Sequence, residues 1–220
     1  WEFAQAHLGA ETSDVKLLCF WCHDGGVIHS TRRLTSLADL KGQRLRFPTR
    51  LAGEGLKIAG AAPIGMPVTQ VAESITQRVL DGAVVPWEVA PSIKLPDLAR
   101  NHLEIAGSPT FYTASFMVAM NKARYEGLPA ELRAILDEHS GLAYSKAGGV
   151  VWDQASADVE AAVRKSGRNV ITTLPDADKA AWMKACEPVT AHWIDEMKAR
   201  KRDGLAMVES VKTLLAKHSG

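Results

Sequence analysis

From Arg44 to Val85 the chain switches repeatedly between the two-residue period of a strand and the 3.6-residue period of a helix. That alternation is the strongest limit on the folds open to it. Arg44-Leu45-Arg46-Phe47 is a short apolar strand that Pro48 stops at once. Gly53 to Ala59 has helical character, and Gly60 suits its C-terminal cap. Ala62 to Met66 is extended. Pro67 opens a second helix, in which Val68, Val71, Ala72, Ile75 and Val79 recur at helical spacing until Asp81-Gly82 ends the pattern. Ala83-Val84-Val85 is a further strand, closed by Pro86. Such a sequence specifies an α/β protein with a mainly parallel sheet covered by helices.

The flanking segments extend this plan. Val15 to Trp21 is an apolar run of strand length, and Cys22-His23-Asp24-Gly25-Gly26 ends it in a loop. Val27 to Ser30 is a short strand, and Ser36 to Leu40 a helical turn closed by Lys41-Gly42. Phe111 to Met120 reads as a longer strand. Helix is expected from about Pro129, with Leu132, Ile135 and Leu136 on its buried face, and onward through Lys165 past Gly148-Gly149. Asn169 to Thr173 is a late strand. Ala177 to about Lys217 is helical, with a break near Asp203-Gly204. The α/β part comes first and a helix-rich part second.

Arg46 is the residue that most invites chemistry. It sits on a short apolar strand whose end is marked by Pro48-Thr49, the place where α/β proteins carry ligand-contacting groups. A guanidinium facing inward must find an anion or bear a large desolvation cost. Its planar fork fits a carboxylate with two charge-assisted hydrogen bonds. Arg44, two residues earlier on the same face, is the rival for this role. Thr49 offers a hydroxyl that either meets a ligand or caps the next helix. Trp87, Phe111 and Tyr112 are candidates for an aromatic wall.

Several classes are not supported. With 26 basic and 25 acidic residues the formal net charge is +1, so no basic excess points to nucleic acid. No apolar run approaches the roughly 20 residues of a bilayer-spanning helix. Three cysteines are an odd count and imply no disulfide framework. Cys19-Phe20-Trp21-Cys22-His23 has the spacing of c-type haem attachment, but it lies on a strand, where side chains three apart face opposite ways. A zinc site there lacks a fourth ligand. Neither metal nor cofactor is expected. There is no G-x-S-x-G, H-E-x-x-H, P-loop or G-x-G-x-x-G, so no enzyme is expected either. The chain opens at Trp1 within what reads as a helix, which suggests a start trimmed by processing, cloning or missing coordinates.

Four segments in this order, Asp39 to Thr49 (DLKGQRLRFPT), Ala61 to Ile75 (AAPIGMPVTQVAESI), Leu80 to Glu88 (LDGAVVPWE) and Met120 to Gly141 (MNKARYEGLPAELRAILDEHSG), resemble the substrate-binding proteins of tripartite ATP-independent periplasmic (TRAP) transporters, DctP type. The resemblance is strong from about Ser36 to Gly141. It implies a class II periplasmic-binding-protein fold of two lobes, with a mixed or parallel sheet lobe, a helix-rich C-terminal region and, here, an incomplete N-terminal lobe. On that pattern, residues 1–24 are the remnant of a first lobe and 25–112 the second α/β lobe. Residues 113–220 supply a return strand, hinge and helices that brace both. The resemblance implies a periplasmic protein that captures a small organic acid, aromatic or keto acids included, and delivers it to the membrane subunits of a transporter. An effector-sensing domain of a regulator or receptor is the alternative. Surfaces bared by truncation would allow a homodimer.

The resemblance also carries residues. Arg46 matches the family arginine that pairs with the solute carboxylate, and Val68 and Val85 match positions that touch solute. His23 and Asp24 fall near where the family's lobes meet. The sialic-acid-binding branch has an arginine where this chain has Gly26 and an asparagine where it has Val85. Without those polar contacts a many-hydroxylated sugar acid would leave bonds unmade, so a smaller or more apolar carboxylate is expected.

Overall fold

The computed structural model describes residues 1–218. In chain order its elements are α1 (Glu2–His7), β1 (Val15–Cys22), β2 (Val27–Ser30), β3 (Arg44–Phe47), α2 (Arg50–Ile58), β4 (Ala62–Gly65), α3 (Val71–Thr76), β5 (Gly82–Val85), α4 (Leu95–Leu98), β6 (Asn101–Glu104), β7 (Ser115–Asn121), α5 (Lys122–Glu126), α6 (Ala130–Glu138), α7 (Gly141–Ser166), β8 (Val170–Thr173), α8 (Asp176–Ala199) and α9 (Gly204–His218). They fall into two compact units. One, the sheet unit, comprises residues 24–113 and 153–191. The other, the strand-pair unit, comprises residues 1–23, 114–152 and those from His192 on.

The sheet unit is built on six strands in the order β4-β3-β5-β2-β6-β8. The run legible in the sequence gives the parallel trio, with β3 paired in parallel to both β4 and β5. The sheet is mixed because β2 lies antiparallel between β5 and β6, while β8 adds to β6 in parallel at the edge. Strand β6 gave no apolar pattern because its central residue is His102, which is nevertheless fully buried. Strands β2 and β5 are buried along their whole length, so their alternating side chains feed a core on each face. Val27, Ala83 and Val85 pack with Val71 and Ile75 of α3, Leu95 of α4 and Val163 of α7. Ile28 and Val84 pack with Leu45, Leu56 of α2, Leu103 and Trp182 of α8. Each fully buried Val, Leu or Ile contributes about 1.5–3 kcal/mol. A Cβ at Gly82 would stand 2.0 Å from the carbonyl oxygen of His29, so the close approach of β5 to β2 requires glycine there.

In the strand-pair unit β1 and β7 form an antiparallel ribbon with an irregularity between Leu17 and Cys19. Strand β7 starts at Ser115, not Phe111, because Phe111 and Tyr112 belong to the sheet unit, each packed against a partner there. Phe116 stacks on Trp152, with ring planes 8° apart and centroids 5.8 Å apart, and Trp21 completes the cluster at 5.6 Å from Phe116 and 6.3 Å from Trp152. Cys19 is buried and Cys22 exposed, and all three cysteines are free. Glu2 of α1 accepts from Lys217 and His218 of α9 at 2.8 and 2.9 Å. Helix α7 runs unbroken through Gly148-Gly149, and Gly204 starts α9 after the expected break. No described helix is long and apolar enough to cross a membrane. No group of three or more His, Cys, Asp or Glu among the described residues could hold a metal ion.

Candidate functional site

The site is built at the carboxyl ends of β3 and β5, inside the sheet unit. Arg44 and Arg46 share a face of β3, but the strand delivers them to different surroundings. At the strand start Arg44 is exposed and clasped by Asp81 through two bonds, Nη2–Oδ1 at 2.8 Å and Nε–Oδ2 at 3.1 Å. Arg46 is 8% exposed and pairs with no acid among the described residues. Its Nε–H donates to the Met66 carbonyl at 3.0 Å and its Nη1 to the Val84 carbonyl at 3.4 Å. The Nη2 amino group has no acceptor among the described residues. Burial pulls the guanidinium pKa down and the nearby Tyr112 works against that fall. The group stays charged, because arginine is not deprotonated in proteins. A buried cation held by two neutral carbonyls, with donors to spare, is chemically equipped to receive an anion in two places.

Tyr112 is the second part of the site. Its carbonyl accepts from the Gly26 N–H at 2.9 Å and from the Thr110 hydroxyl at 3.0 Å. Its ring lies over the bare Cα of Gly26. Burial raises the phenol pKa well above its ordinary value, while the Arg46 charge lowers it and that of Glu88 raises it, so the hydroxyl stays protonated. Glu88, on the turn after β5, sits between these groups and α7. Its Oε2 accepts from Ser156 at 2.9 Å, and its Oε1 is fully covered without a partner. Burial raises the Glu88 pKa, and the neighbouring Asp24 and Asp153 raise it further. One cation, one phenol and one carboxyl that resists ionisation thus meet at this edge of the sheet. Sequence reading missed Glu88 as a member, since its partner Ser156 comes 68 residues later on α7.

Beneath the site lies a buried pair of imidazoles. His29 Nε2 is 3.2 Å from the Val85 carbonyl, and His29 Nδ1 is 2.7 Å from His102 Nδ1. A carbonyl only accepts, so His29 Nε2 carries the proton and its Nδ1 accepts from His102. Burial, and the charge His102 would carry, hold His29 well below the ordinary histidine pKa. His29 therefore rests neutral and fixes the carbonyl at the end of β5. Trp87 covers it, with its ring 5.0 Å from His29 and 4.9 Å from His102.

The family described as bacterial extracellular solute-binding protein, family 7 (DctP), matches residues 2–196. The chain belongs to this family. Among solved structures, it superposes with a TM-score of 0.94 on a TRAP solute-binding protein from a marine metagenome, described as specific for aromatic acid ligands and holding metahydroxyphenylacetate; the two are 36% identical over all of this chain and 69% of that one. A TRAP solute-binding protein from Rhodoferax ferrireducens T118, with copurified benzoate, gives the same score at 35% identity over all of this chain and 68% of its own. The C4-dicarboxylate-binding periplasmic protein DctP of Rhodobacter capsulatus is 23% identical over 207 residues, 94% of this chain. The chain spans 59% of the length of that curated relative.

Within this DctP-family chain the other sequence candidates fall unevenly. Val85 is buried and half-buried Val68 packs on the same core. Thr49 is exposed, and its hydroxyl accepts from the Ala52 N–H at 3.5 Å as the N-cap of α2. Asp24 is exposed, and its Oδ1 accepts from the Gly25 N–H at 2.6 Å. Trp87 is 2% exposed and works as a core residue over the imidazole pair. Phe111 stands edge-on to Trp182, centroids 4.9 Å apart, in the opposite core. Only Tyr112 of the three aromatic candidates lies beside Arg46. His23 belongs to the strand-pair unit, where its Nε2 accepts from the Ala114 N–H at 3.1 Å and its ring adjoins Phe116.

Proposed function

We propose that this chain is the solute-receiving part of a periplasmic binding protein that captures a small organic monocarboxylate, aromatic acids foremost, for the membrane subunits of a TRAP transporter. The observation that carries the reading is Arg46: a buried guanidinium with no acid partner among the described residues and unused donors at the carboxyl ends of parallel strands. The two solved relatives with aromatic acids support the chemical class. So does the charge balance of the site. Arg46 neutralises one carboxylate, whereas a second anionic group would meet Glu88 and Asp153, whose ionisation burial and the neighbouring Asp24 already disfavour. A dicarboxylate is therefore disfavoured, even though the curated relative is named for one.

The test is a thermal-shift and calorimetric panel on the full-length protein, with benzoate, 3-hydroxybenzoate, succinate and galacturonate, preceded by native mass spectrometry for a copurified acid. A true ligand at about 100 times its dissociation constant stabilises by about 2.7 kcal/mol. Binding of benzoate or 3-hydroxybenzoate with succinate and galacturonate silent is the expected result. Failure of every carboxylate, or preference for succinate, overturns the reading.

A further inference from the structure

We infer that Gly26 and Tyr112 act as one specificity element, in which the tyrosine ring occupies the space a side chain at position 26 would use to reach the solute. This rests on the monocarboxylate reading above and names what sets its selectivity.

A Cβ built on Gly26 would stand 2.1 Å from Cε1 and 2.2 Å from Cδ1 of Tyr112. Real carbon atoms do not approach so closely, so ring and side chain exclude each other. The backbone gives no other reason for glycine. Gly26 is not among the residues with positive φ, so any L-residue could adopt its conformation. The glycine is needed for the ring.

The ring in turn is held in place. Gly26 N–H and the Thr110 hydroxyl both bond the Tyr112 carbonyl. The neighbouring Gly25 receives Thr110 in the same way, since a Cβ there would lie 2.5 Å from its Cγ2. Two adjacent glycines thus seat a three-residue segment, and the phenol ring is delivered next to Arg46 with little freedom. A fixed aromatic surface beside a guanidinium favours a flat acid that can stack on it. It also removes the room for a side chain at position 26 that could satisfy sugar hydroxyls, whose unmade bonds then count against a sugar acid.

The test uses the full-length protein with Gly26→Ala, Tyr112→Ala and the double variant, measured by calorimetry with benzoate and galacturonate and by circular dichroism and melting. Gly26→Ala should weaken benzoate binding on the order of tenfold or more, as overpacking of a filled site does. In the Tyr112→Ala background the same methyl should cost little, because its collision partner is gone. Tyr112→Ala should also narrow the preference for benzoate over galacturonate. If Gly26→Ala alone fails to fold, the double variant should recover the fold; failure to recover it overturns the inference. Equal losses from Gly26→Ala in both backgrounds, or no loss at all, overturn it too. Absence of carboxylate binding by the unmutated protein would instead refute the functional reading, so the two failures are distinguishable.

Discussion

Replacing Arg46 by methionine should separate binding from stability, and the structure gives the size of each effect. The apolar stem keeps the volume, while the guanidinium goes. In the ligand-free protein this removes two hydrogen bonds, to the carbonyls of Met66 and Val84. It also removes a buried charge that no acid compensates. The first loss costs about 1.5–3 kcal/mol per charged bond at most. The second gain is several kcal/mol, the usual penalty of an unpaired buried ion. The two nearly cancel, so stability without ligand should change by no more than about 1.5 kcal/mol in either direction. Binding has no such cancellation. The carboxylate would lose its charge-assisted pair and remain partly desolvated, which costs about 2–5 kcal/mol, or roughly 30- to 5,000-fold in dissociation constant. Arg46→Lys should recover only a small part, since a point charge cannot make two parallel bonds. Denaturant melts of the ligand-free variant and calorimetry with benzoate read the two quantities. A variant that is destabilised by more than about 3 kcal/mol yet binds benzoate normally would show that Arg46 is a structural residue and refute the argument.

Three further outcomes follow from the same geometry. Arg44→Ala should leave benzoate affinity unchanged and barely move the urea midpoint, because an exposed ion pair is screened by solvent; calorimetry and a urea melt check both. His29 is held neutral with a depressed pKa, so its contribution is complete above the unfolded value near 6.5 and is lost as pH falls below it. The melting temperature should therefore drop from pH 7 toward pH 5, and His29→Phe should flatten that drop. Glu88 has a raised pKa, so its stabilising neutral form prevails at low pH and is lost as pH rises through its folded value. Glu88→Gln, which can still accept from Ser156, should be at least as stable as the unmutated protein at pH 8 and lose any advantage near pH 4; melts at the two pH values decide.

What was legible in the sequence was what local period and local stops encode. The parallel trio β3, β4 and β5, the helices between them and the turn at Asp203-Gly204 all announce themselves within a few residues. Arg46 was legible because an arginine on a four-residue apolar strand is itself an anomaly. The rivalry with Arg44 was not resolvable from spacing: both share a face, and only the return of Asp81 from the far end of α3 neutralises one and leaves the other. Strand β6 was hidden because His102 looks like a surface residue until His29 from another strand is placed against it. Tyr112 reads as strand because the run Phe111 to Met120 is largely apolar, while the glycines that seat its ring lie some 85 residues earlier, a pairing no local rule connects. Glu88 was passed over for the same reason, since Ser156 reaches it only through the tertiary fold. Trp87 and Phe111 show the limit of composition: large rings near a strand end are pocket candidates by type, and type does not say that each also packs on a core.

The most direct test of the central claim is a crystal structure of the full-length protein with benzoate bound. The account requires the carboxylate oxygens to lie at charge-assisted distance, about 2.7–2.9 Å, from Arg46 nitrogens, with the benzoate ring against Tyr112. Benzoate seated elsewhere, or an Arg46 guanidinium turned to solvent or clasped by one of the protein's own acids, would contradict it.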